Sequence, residues 1–243
     1  MKNNTMKAFT FKRYGKSPAL GFDNIDYPAP DADEILVKVY AVGLNPIDNM
    51  IPTGIFKPVL HFKLPATLGS DLSGVVIAVG SRVTRFKPGD EIFASIFDRG
   101  TGSLAEFAVV PENAAAMKPA NLDFVQAASL PMVSLTSWQA LTERAGLQTG
   151  QKVFIPAGSG GIGSFAIQLA KHLGAKVGTT TSTDNVDWVS RLGADEVIDY
   201  KKQEFENELS GYDIVLGTLR GDAIEKSTHI LKPGGKLFPS SGR

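Results

Sequence analysis

A glycine-rich loop, AGSGGIG at residues 157–163, contains the residues whose types and spacing point most directly to chemistry. Its glycines fit the G-x-G-x-x-G pattern. Glycine at these places allows a tight turn, brings the backbone next to a pyrophosphate and lets the following helix pack close to a sheet. The phosphates then lie at the positive N-terminus of that helix. The pattern predicts a dinucleotide-binding loop formed by Gly158, Ser159, Gly160, Gly161, Ile162 and Gly163.

The residues at the end of the next predicted strand bear on which nicotinamide dinucleotide this loop would bind. Units that bind NAD place an acidic residue there, which accepts the ribose 2′-hydroxyl. That place falls near Thr181 and Ser182, where no carboxylate is present to repel a 2′-phosphate of about −1.5 to −2 charges. Asp184 is close, but we predict that it is the N-cap of a helix beginning at Asn185. The segment therefore predicts NADP as the cofactor.

Two consecutive lysines follow the third predicted strand of this region. Lys201 and Lys202 either face the 2′-phosphate, which their charge would attract, or are solvated surface residues. The sequence leaves both possibilities open.

The elements around the loop alternate between strands and helices. Helical spacing of apolar residues predicts helices at 163–174 and 185–194. Because strands alternate with short helices, we expect right-handed crossovers and a doubly wound parallel sheet. The predicted strands lie at 152–158, 175–182, 196–200, 212–218 and 234–240.

The first half of the chain has a different pattern. Runs rich in valine and isoleucine predict strands at 6–11, 34–44 and 73–80, and glycine- and proline-containing turns separate them. Short strands with frequent turns favour a barrel-like or sandwich-like unit.

A helical stretch at 122–146, interrupted by Pro131, connects the two halves. We place the domain boundary near residue 127. The sequence thus predicts a β-rich domain at 1–127 and a dinucleotide-binding domain at 128–243.

Composition narrows the function classes. The 243 residues carry a formal net charge of zero, so no overall field recruits nucleic acid or an anionic membrane, and neither partner is expected. Cysteine is absent, which excludes disulfides, a thiolate nucleophile and cysteine-ligated zinc. No signal peptide and no apolar run of about 20 residues are present, so we expect a cytoplasmic protein.

Several motifs follow one another in order along the chain. They are VYAVGLNPIDNM (39–50), LPATLGSDLSGVVIAVG (64–80), FKPGDEIFA (86–94), GSLAEFAVV (102–110), AASLP (127–131), SLTSWQAL (134–141), the glycine loop and LGADEVIDY (192–200). Together they resemble the zinc-independent quinone oxidoreductase and alkenal reductase branch of the medium-chain dehydrogenase/reductase superfamily, over essentially the whole chain. The resemblance implies a GroES-like β-barrel domain joined to a Rossmann domain, with the active site in the cleft between them.

The resemblance also bears on metal binding. Zinc-dependent relatives have a cysteine in the segment matching GLNPID and a histidine–glutamate pair in the segment matching LGSDLSG. This chain has Asn45, Ser70 and Asp71 at those places. One carboxylate and two neutral oxygens make a poor zinc site, so we expect a metal-free protein.

Without a Lewis acid, hydride addition to a quinone or to an α,β-unsaturated carbonyl is favoured over alcohol oxidation, because conjugation spreads the developing charge. NADPH would deliver the hydride and solvent a proton. We predict that Asn45 steadies the enolate oxygen or orients the nicotinamide; the alternative is a turn-forming role before Pro46. Asp48 is predicted to hold that loop. Some relatives have a tyrosine near the substrate where this chain has Met50, so no proton donor is assigned.

The resemblance implies further cofactor contacts in the second domain. Thr136 is expected beside the nicotinamide, Ser182 near the 2′-phosphate and Tyr200 against the adenosine. At the end of the fourth strand of that domain, Gly217 and Thr218 are expected to line the cofactor cleft.

Family members are longer than this chain, and this leaves alternatives open. We expect the Rossmann sheet to be incomplete at the C-terminus, without a sixth strand and a returning segment. An NADPH-binding protein without turnover is therefore one alternative. A reductase of enoyl thioesters, as in related polyketide and fatty-acid reductases, is another and does not depend on the length of the chain. A homodimer paired through the nucleotide domain is a further possibility.

Overall fold

The computed structural model describes residues 5–99, 101–217 and 222–239. The chain forms two compact units that divide between Met132 and Val133. The boundary that we predicted near residue 127, between a catalytic and a dinucleotide-binding domain, stays a prediction. Thr218 lies outside the described residues. Within them, no helix has the length and apolar character needed to cross a membrane.

The first unit is built from short antiparallel strands in two sheets. One sheet has the order β2-β1-β4 and the other the order β7-β3-β5-β6-β8. The strands are β1 (Thr5–Phe11), β2 (Leu20–Asp26), β3 (Glu34–Gly43), β4 (Ala66–Thr67), β5 (Asp71–Val79), β6 (Glu91–Ser95), β7 (Phe107–Pro111) and β8 (Ala115–Met117). The helices are α1 (Pro46–Met50) and α2 (Phe124–Ala128), with 3-10 turns at Ile51–Thr53 and Glu112–Ala114.

The strands predicted at 34–44 and 73–80 from their runs of valine and isoleucine correspond to β3 and β5. Val37 and Leu72 are fully buried in the core of the larger sheet. Close approach of the two strands depends on Gly74, where a Cβ atom would lie 2.1 Å from the carbonyl oxygen of Lys38. β5 is thus a central, tightly packed strand, and its first residue, Asp71, is 1% exposed.

The second unit contains the predicted parallel sheet, in the order β11-β10-β9-β12-β13. Its strands are β9 (Lys152–Ile155), β10 (Lys176–Thr181), β11 (Glu196–Asp199), β12 (Tyr212–Gly217) and β13 (Leu231–Pro239). Its helices are α4 (Gly161–His172), α5 (Val186–Arg191), α6 (Phe205–Glu208) and α7 (Asp222–His229). A helix α3 (Pro131–Trp138) begins at the division between the units and continues as a π-helical stretch, Gln139–Arg144.

The helix α4 packs on the sheet through small and branched apolar residues. Ala166, Ile167 and Ala170 are fully buried against Val153 and Ile155 of β9. Their spacing of one and four residues puts them on one face of the helix. This face fixes α4 behind the strand that leads into the glycine loop.

The prediction for Asp184 is wrong. Asp184 is exposed within a 3-10 turn, Thr183–Asn185, and α5 begins at Val186 with Asn185 as its N-cap. The turn is held by other contacts: Asn185 Nδ2 donates to Ser182 Oγ at 3.0 Å and Thr183 Oγ1 donates to Asp199 Oδ2 at 2.7 Å. Because these side chains already fix the turn, no capping role remains for Asp184.

The carboxylate of Asp195 connects α4 to the sheet. Its two oxygens accept hydrogen bonds from Lys171 Nζ at 2.8 Å, and Oδ2 also accepts from the backbone N–H of Val177 at 2.7 Å. Burial raises the pKa of Asp195, but the hydrogen bonds from Lys171 and Val177 outweigh it and leave the pKa below its ordinary value. A carboxyl group with a lowered pKa in the folded state stabilises above its unfolded pKa, and this contribution is lost as pH falls through the folded value.

We therefore expect Asp195→Asn to lower the free energy of unfolding by about 1 kcal/mol near neutral pH, because a charge-assisted contact is lost. The difference from the unsubstituted chain should disappear as the pH falls below the folded-state pKa of Asp195. Urea unfolding across pH, with the exposed Asp187→Asn as control, measures this. Equal stability of the chain and the Asp195→Asn variant near neutral pH would contradict it.

Candidate functional site

The glycine loop opens directly into the N-terminus of α4. The N-cap residue, Gly160, has extended backbone (φ −79°, ψ 167°) and no side chain caps the helix. The N–H groups in the first turn of a helix have no partner inside the helix. The first turn of α4, which begins at Gly161, therefore offers free backbone donors and a positive helix end for an anion.

The loop has no room for side chains at two of its glycines. A Cβ atom at Gly163 would lie 2.2 Å from the carbonyl oxygen of Ala157, and one at Gly158 would lie 2.4 Å from Thr179 Oγ1. The loop is also tied to β10, since Ala157 N–H donates to Thr180 Oγ1 at 3.1 Å and Gly158 N–H to the carbonyl oxygen of Thr180 at 2.9 Å. This rigid, compact turn fits a pyrophosphate.

The carboxyl ends of the parallel strands collect the other predicted cofactor residues of this unit at one edge of the sheet. Thr181 ends β10, Asp199 ends β11 and Gly217 ends β12; all three are buried. Thr181 Oγ1 has no hydrogen-bond partner among the residues that the structure describes. The structure thus brings Thr181, Ser182 and Gly217 to the edge where the glycine loop also begins.

Tyr200 lies beside the end of β10. Its backbone N–H donates to the carbonyl oxygen of Thr181 at 3.1 Å, and the residue is 57% exposed. An exposed aromatic ring at this place is available for stacking on a base.

Asp199 is a candidate site residue that sequence reasoning missed. It accepts a hydrogen bond from Thr183 Oγ1, and Lys202 Nζ lies 3.2 Å from its Oδ2. The hydrogen bond from Thr183, helped by Lys201 N–H and Lys202, holds the pKa of Asp199 below its ordinary value. The sequence feature that could have identified Asp199 is its position at the end of a predicted strand, within the LGADEVIDY motif. Of the two lysines, Lys202 is thus engaged with Asp199, although its side chain is 65% exposed.

Thr136 is half-buried on α3, close to the start of α4. In the next position of α3, Ser137 Oγ lies 3.5 Å from the carbonyl oxygen of Ile162. A Cβ atom added at Gly161 would lie 3.1 Å from Cγ1 of Val133. The helix that carries Thr136 therefore packs against the glycine loop.

A cluster of hydrogen-bonded polar side chains lies in the first unit, where the loop at Asn45 meets the start of β5. Asn45 Nδ2 donates to Asp71 Oδ2 at 3.0 Å, and the backbone N–H of Asn45 donates to Asp48 Oδ2 at 2.7 Å. Ser70 Oγ donates to the other oxygen of Asp48 at 2.5 Å. Burial raises the pKa of both Asp48 and Asp71, and the hydrogen bonds that each accepts oppose this rise.

These residues do not fit a zinc ion. Asn45 and Ser70 direct hydrogen-bond donors at the two carboxylates, so their polar atoms are engaged with Asp71 and Asp48. Zinc sites are built from cysteine, histidine and carboxylate ligands. In the described part of the chain, no group of three or more histidine, aspartate or glutamate residues could hold a metal ion.

Two family models match the chain. The first, the alcohol dehydrogenase GroES-like domain, matches residues 31–120, and the second, zinc-binding dehydrogenase, matches residues 161–240. They correspond to the antiparallel unit and to the unit with the parallel sheet.

Curated relatives are similar along nearly the whole chain. A 2-methylene-furan-3-one reductase of Solanum lycopersicum is 38% identical over an alignment of 246 positions, which covers 98% of this chain and 62% of that protein. An NADPH-dependent alkenal/one oxidoreductase, chloroplastic, of Arabidopsis thaliana is also 38% identical, over 98% of this chain and 63% of that protein. The chain thus spans less than two thirds of the length of these relatives.

Solved structures agree with these matches. The quinone oxidoreductase from Coxiella burnetii is 35% identical, with a TM-score of 0.85 over 96% of this chain and 74% of that one. An alcohol dehydrogenase superfamily protein from Novosphingobium aromaticivorans is also 35% identical, with a TM-score of 0.87 over 96% of this chain and 71% of that one. The predicted resemblance is confirmed: the chain belongs to the medium-chain dehydrogenase/reductase superfamily, in its quinone oxidoreductase branch.

Proposed function

We propose that the chain binds NADPH and transfers a hydride to a quinone or to an α,β-unsaturated carbonyl compound. The observation that carries this proposal is the rigid glycine loop, which opens into the uncapped N-terminus of α4 beside a strand end without a carboxylate at Thr181 and Ser182. The names of the relatives, an alkenal/one oxidoreductase and a quinone oxidoreductase, support the choice of substrate class.

Features of the second unit support the cofactor half of the proposed mechanism. Backbone N–H groups of the loop and of the first turn of α4 hold the pyrophosphate. Ser182, with Lys202 nearby through Asp199, receives the 2′-phosphate, and Tyr200 packs on the adenosine. NADPH, once bound, supplies the hydride. Thr136 is proposed to lie beside the nicotinamide, and Gly217, at the end of β12, to line the cofactor cleft.

The substrate half is proposed to depend on Asn45. Hydride addition to an enone or quinone places negative charge on the carbonyl oxygen, and a fixed hydrogen-bond donor stabilises that charge. The amide of Asn45 has two N–H donors, one of which is taken by Asp71. The other has no acceptor among the residues that the structure describes and is proposed to donate to the oxyanion, and Asp48 holds the backbone of the same loop. No step requires a metal ion, since the residues present do not fit one.

A reductase of enoyl thioesters is the second candidate, because the CurK enoyl reductase structure has a TM-score of 0.85 and 29% identity to this chain. Binding of NADPH without turnover is the third, given the share of its relatives' length that the chain spans. The three candidate functions differ in which compounds, if any, the chain reduces.

The test follows NADPH absorbance with a quinone, a free 2-alkenal and the matching enoyl thioester. We expect turnover with the quinone or the alkenal, and a loss of about 100-fold in kcat for Asn45→Ala, the size of effect seen when an oxyanion donor is removed. The surface variant Asp33→Ala is the matched control, since the Asp33 side chain is 63% exposed. Turnover with the thioester alone would select the second candidate, and binding without turnover the third.

Assembly and location belong to the same proposal. A homodimer paired through the nucleotide domain is proposed, and sedimentation measures it. The cytoplasm is proposed as the location, although named relatives are chloroplastic or mitochondrial. Nucleic acid and membrane are not expected as partners.

A further inference from the structure

We propose that Asp71 is a positioning residue for the reduction step: its carboxylate fixes the amide of Asn45, so that the free N–H of that amide is held ready for the substrate oxyanion. The inference rests on the proposed function. From the sequence, Asp71 was noted only as standing where zinc-dependent relatives have a zinc ligand. The inference gives this residue a role in the proposed function.

The geometry around Asp71 is that of a fixed acceptor. Its Oδ2 accepts from Asn45 Nδ2 at 3.0 Å and from the backbone N–H of Met132 at 2.9 Å. The second contact holds the same oxygen independently of Asn45. A buried acceptor that is held by one partner can therefore orient the other.

The backbone that carries Asp71 is equally constrained. Asp71 is the first residue of β5 and pairs with Gly43 of β3 on one side and Ser95 of β6 on the other. A Cβ atom at Gly43 would lie 2.2 Å from the carbonyl oxygen of Ala128 and 3.2 Å from the Cβ of Asp71. The backbone at Asp71 is thus fixed by its two neighbouring strands, and the bond from Met132 holds the side chain.

Asn45 is held at two points. Asp48 fixes its backbone N–H, and Asp71 fixes its side chain. An asparagine held only at the backbone can still rotate its amide, and a rotating donor is a weaker oxyanion stabiliser than a preorganised one. The Asn45 side chain also takes part in the capping box at the start of α1, with the backbone N–H of Asp48. The bond to Asp71 is the one that the amide itself donates, so it directs the other N–H of that amide.

A purely structural role for Asp71 is the competing explanation, because its bond to Met132 also anchors the start of α3. The two roles differ in how they depend on Asn45. The anchoring of α3 is independent of Asn45, whereas positioning requires it. A double-mutant cycle separates them, since two residues that act as a unit give non-additive effects.

The experiment compares Asp71→Ala, Asn45→Ala and the double variant in quinone or alkenal reduction. We expect Asp71→Ala to lower kcat by about tenfold and Asn45→Ala by about 100-fold, both with an unchanged KM for NADPH. The double variant should be no slower than Asn45→Ala. Asp71→Asn, which keeps an acceptor oxygen, should retain kcat within about threefold. The inference would be overturned if the loss of kcat in the double variant equalled the product of the two single losses. An Asp71→Asn variant as slow as Asp71→Ala would also overturn it.

A second readout does not depend on turnover. Nitrogen–proton correlation spectra, with Asn45→Asp to assign the signals, report the side-chain amide of Asn45. Slow rotation about the amide C–N bond gives Asn45 two side-chain proton signals in any environment. The signal of the proton that is bonded to Asp71 is expected downfield of its position in Asp71→Ala, and the signal of the other proton should move less. Unchanged signals would overturn the inference. If Asp71→Ala does not fold, Asp71→Ser, which also lacks the carboxylate, replaces it in both measurements.

The failure of this inference can be told apart from the failure of the proposed function. Asp33→Ala should match the unsubstituted chain in rate and in spectrum. An unsubstituted chain without turnover contradicts the proposed function and the positioning role together. An active chain with an additive cycle contradicts the positioning role alone.

Discussion

Gly163→Ala is expected to remove NADPH binding and to destabilise the second unit. The added Cβ atom would lie 2.2 Å from the carbonyl oxygen and 2.9 Å from the carbonyl carbon of Ala157, and both are backbone atoms. To relieve this overlap, α4 must move away from the strand that leads into the loop. That movement would disrupt the packing of α4 against Val153 and Ile155. Overpacking of this kind costs about 1–3 kcal/mol. Denaturant unfolding and an NADPH titration measure the two effects.

Gly21→Ala is the control for that substitution. Gly21 lies in β2 of the other unit, and a Cβ atom there would meet nothing within 4 Å. The control should bind NADPH as the unsubstituted chain does. If Gly163→Ala bound NADPH with unchanged affinity, the close packing of the loop would not be what shapes the phosphate site.

Ser182→Asp is expected to reverse the cofactor preference. Ser182 follows β10 directly and is half-buried at the edge where the glycine loop begins. A carboxylate at this place repels the 2′-phosphate of NADPH and can accept the ribose 2′-hydroxyl of NADH. At an effective dielectric constant of about 20, two unit charges 4 Å apart interact by about 4 kcal/mol, so a loss of about 100-fold in NADPH affinity is well within reach. Titration of the variant with both nucleotides measures the ratio.

Asp184→Asn is the matched control, because Asp184 is an exposed acid two residues further along the same turn. Its removal should leave the ratio of the two affinities unchanged. A Ser182→Asp variant that still prefers NADPH would show that the 2′-phosphate lies elsewhere.

Much of the fold could be predicted because its signals are local. The apolar runs of β3, β5 and β9 and the helical spacing of α4 each appear within one short window of sequence. Pro131 is the first residue of α3, where proline is favoured, so the predicted interruption falls at a real helix start. β2 was missed, because Leu20–Asp26 mixes glycine with polar residues and buries no residue fully.

The candidate site was predictable where one motif forms it and less so where distant segments meet. The glycine loop depends on seven consecutive residues. By contrast, the bond from Asn45 to Asp71 joins residues 26 positions apart, and the bond from Met132 to Asp71 joins residues 61 apart. Asp199 reaches Thr183 only because β10 and β11 are neighbours in the sheet. Such contacts follow from the packing of strands, which the residue types alone do not specify.

The central claim, that this chain is an NADPH-binding member of its family, is tested most directly by thermal unfolding with NADPH and with NADH at matched concentrations. We predict that NADPH at 100 times its dissociation constant stabilises the chain by about 2.7 kcal/mol, and that NADH at the same concentration stabilises it much less. Stabilisation by NADH equal to or greater than that by NADPH would contradict the cofactor assignment. An absence of stabilisation by either nucleotide would contradict the site itself.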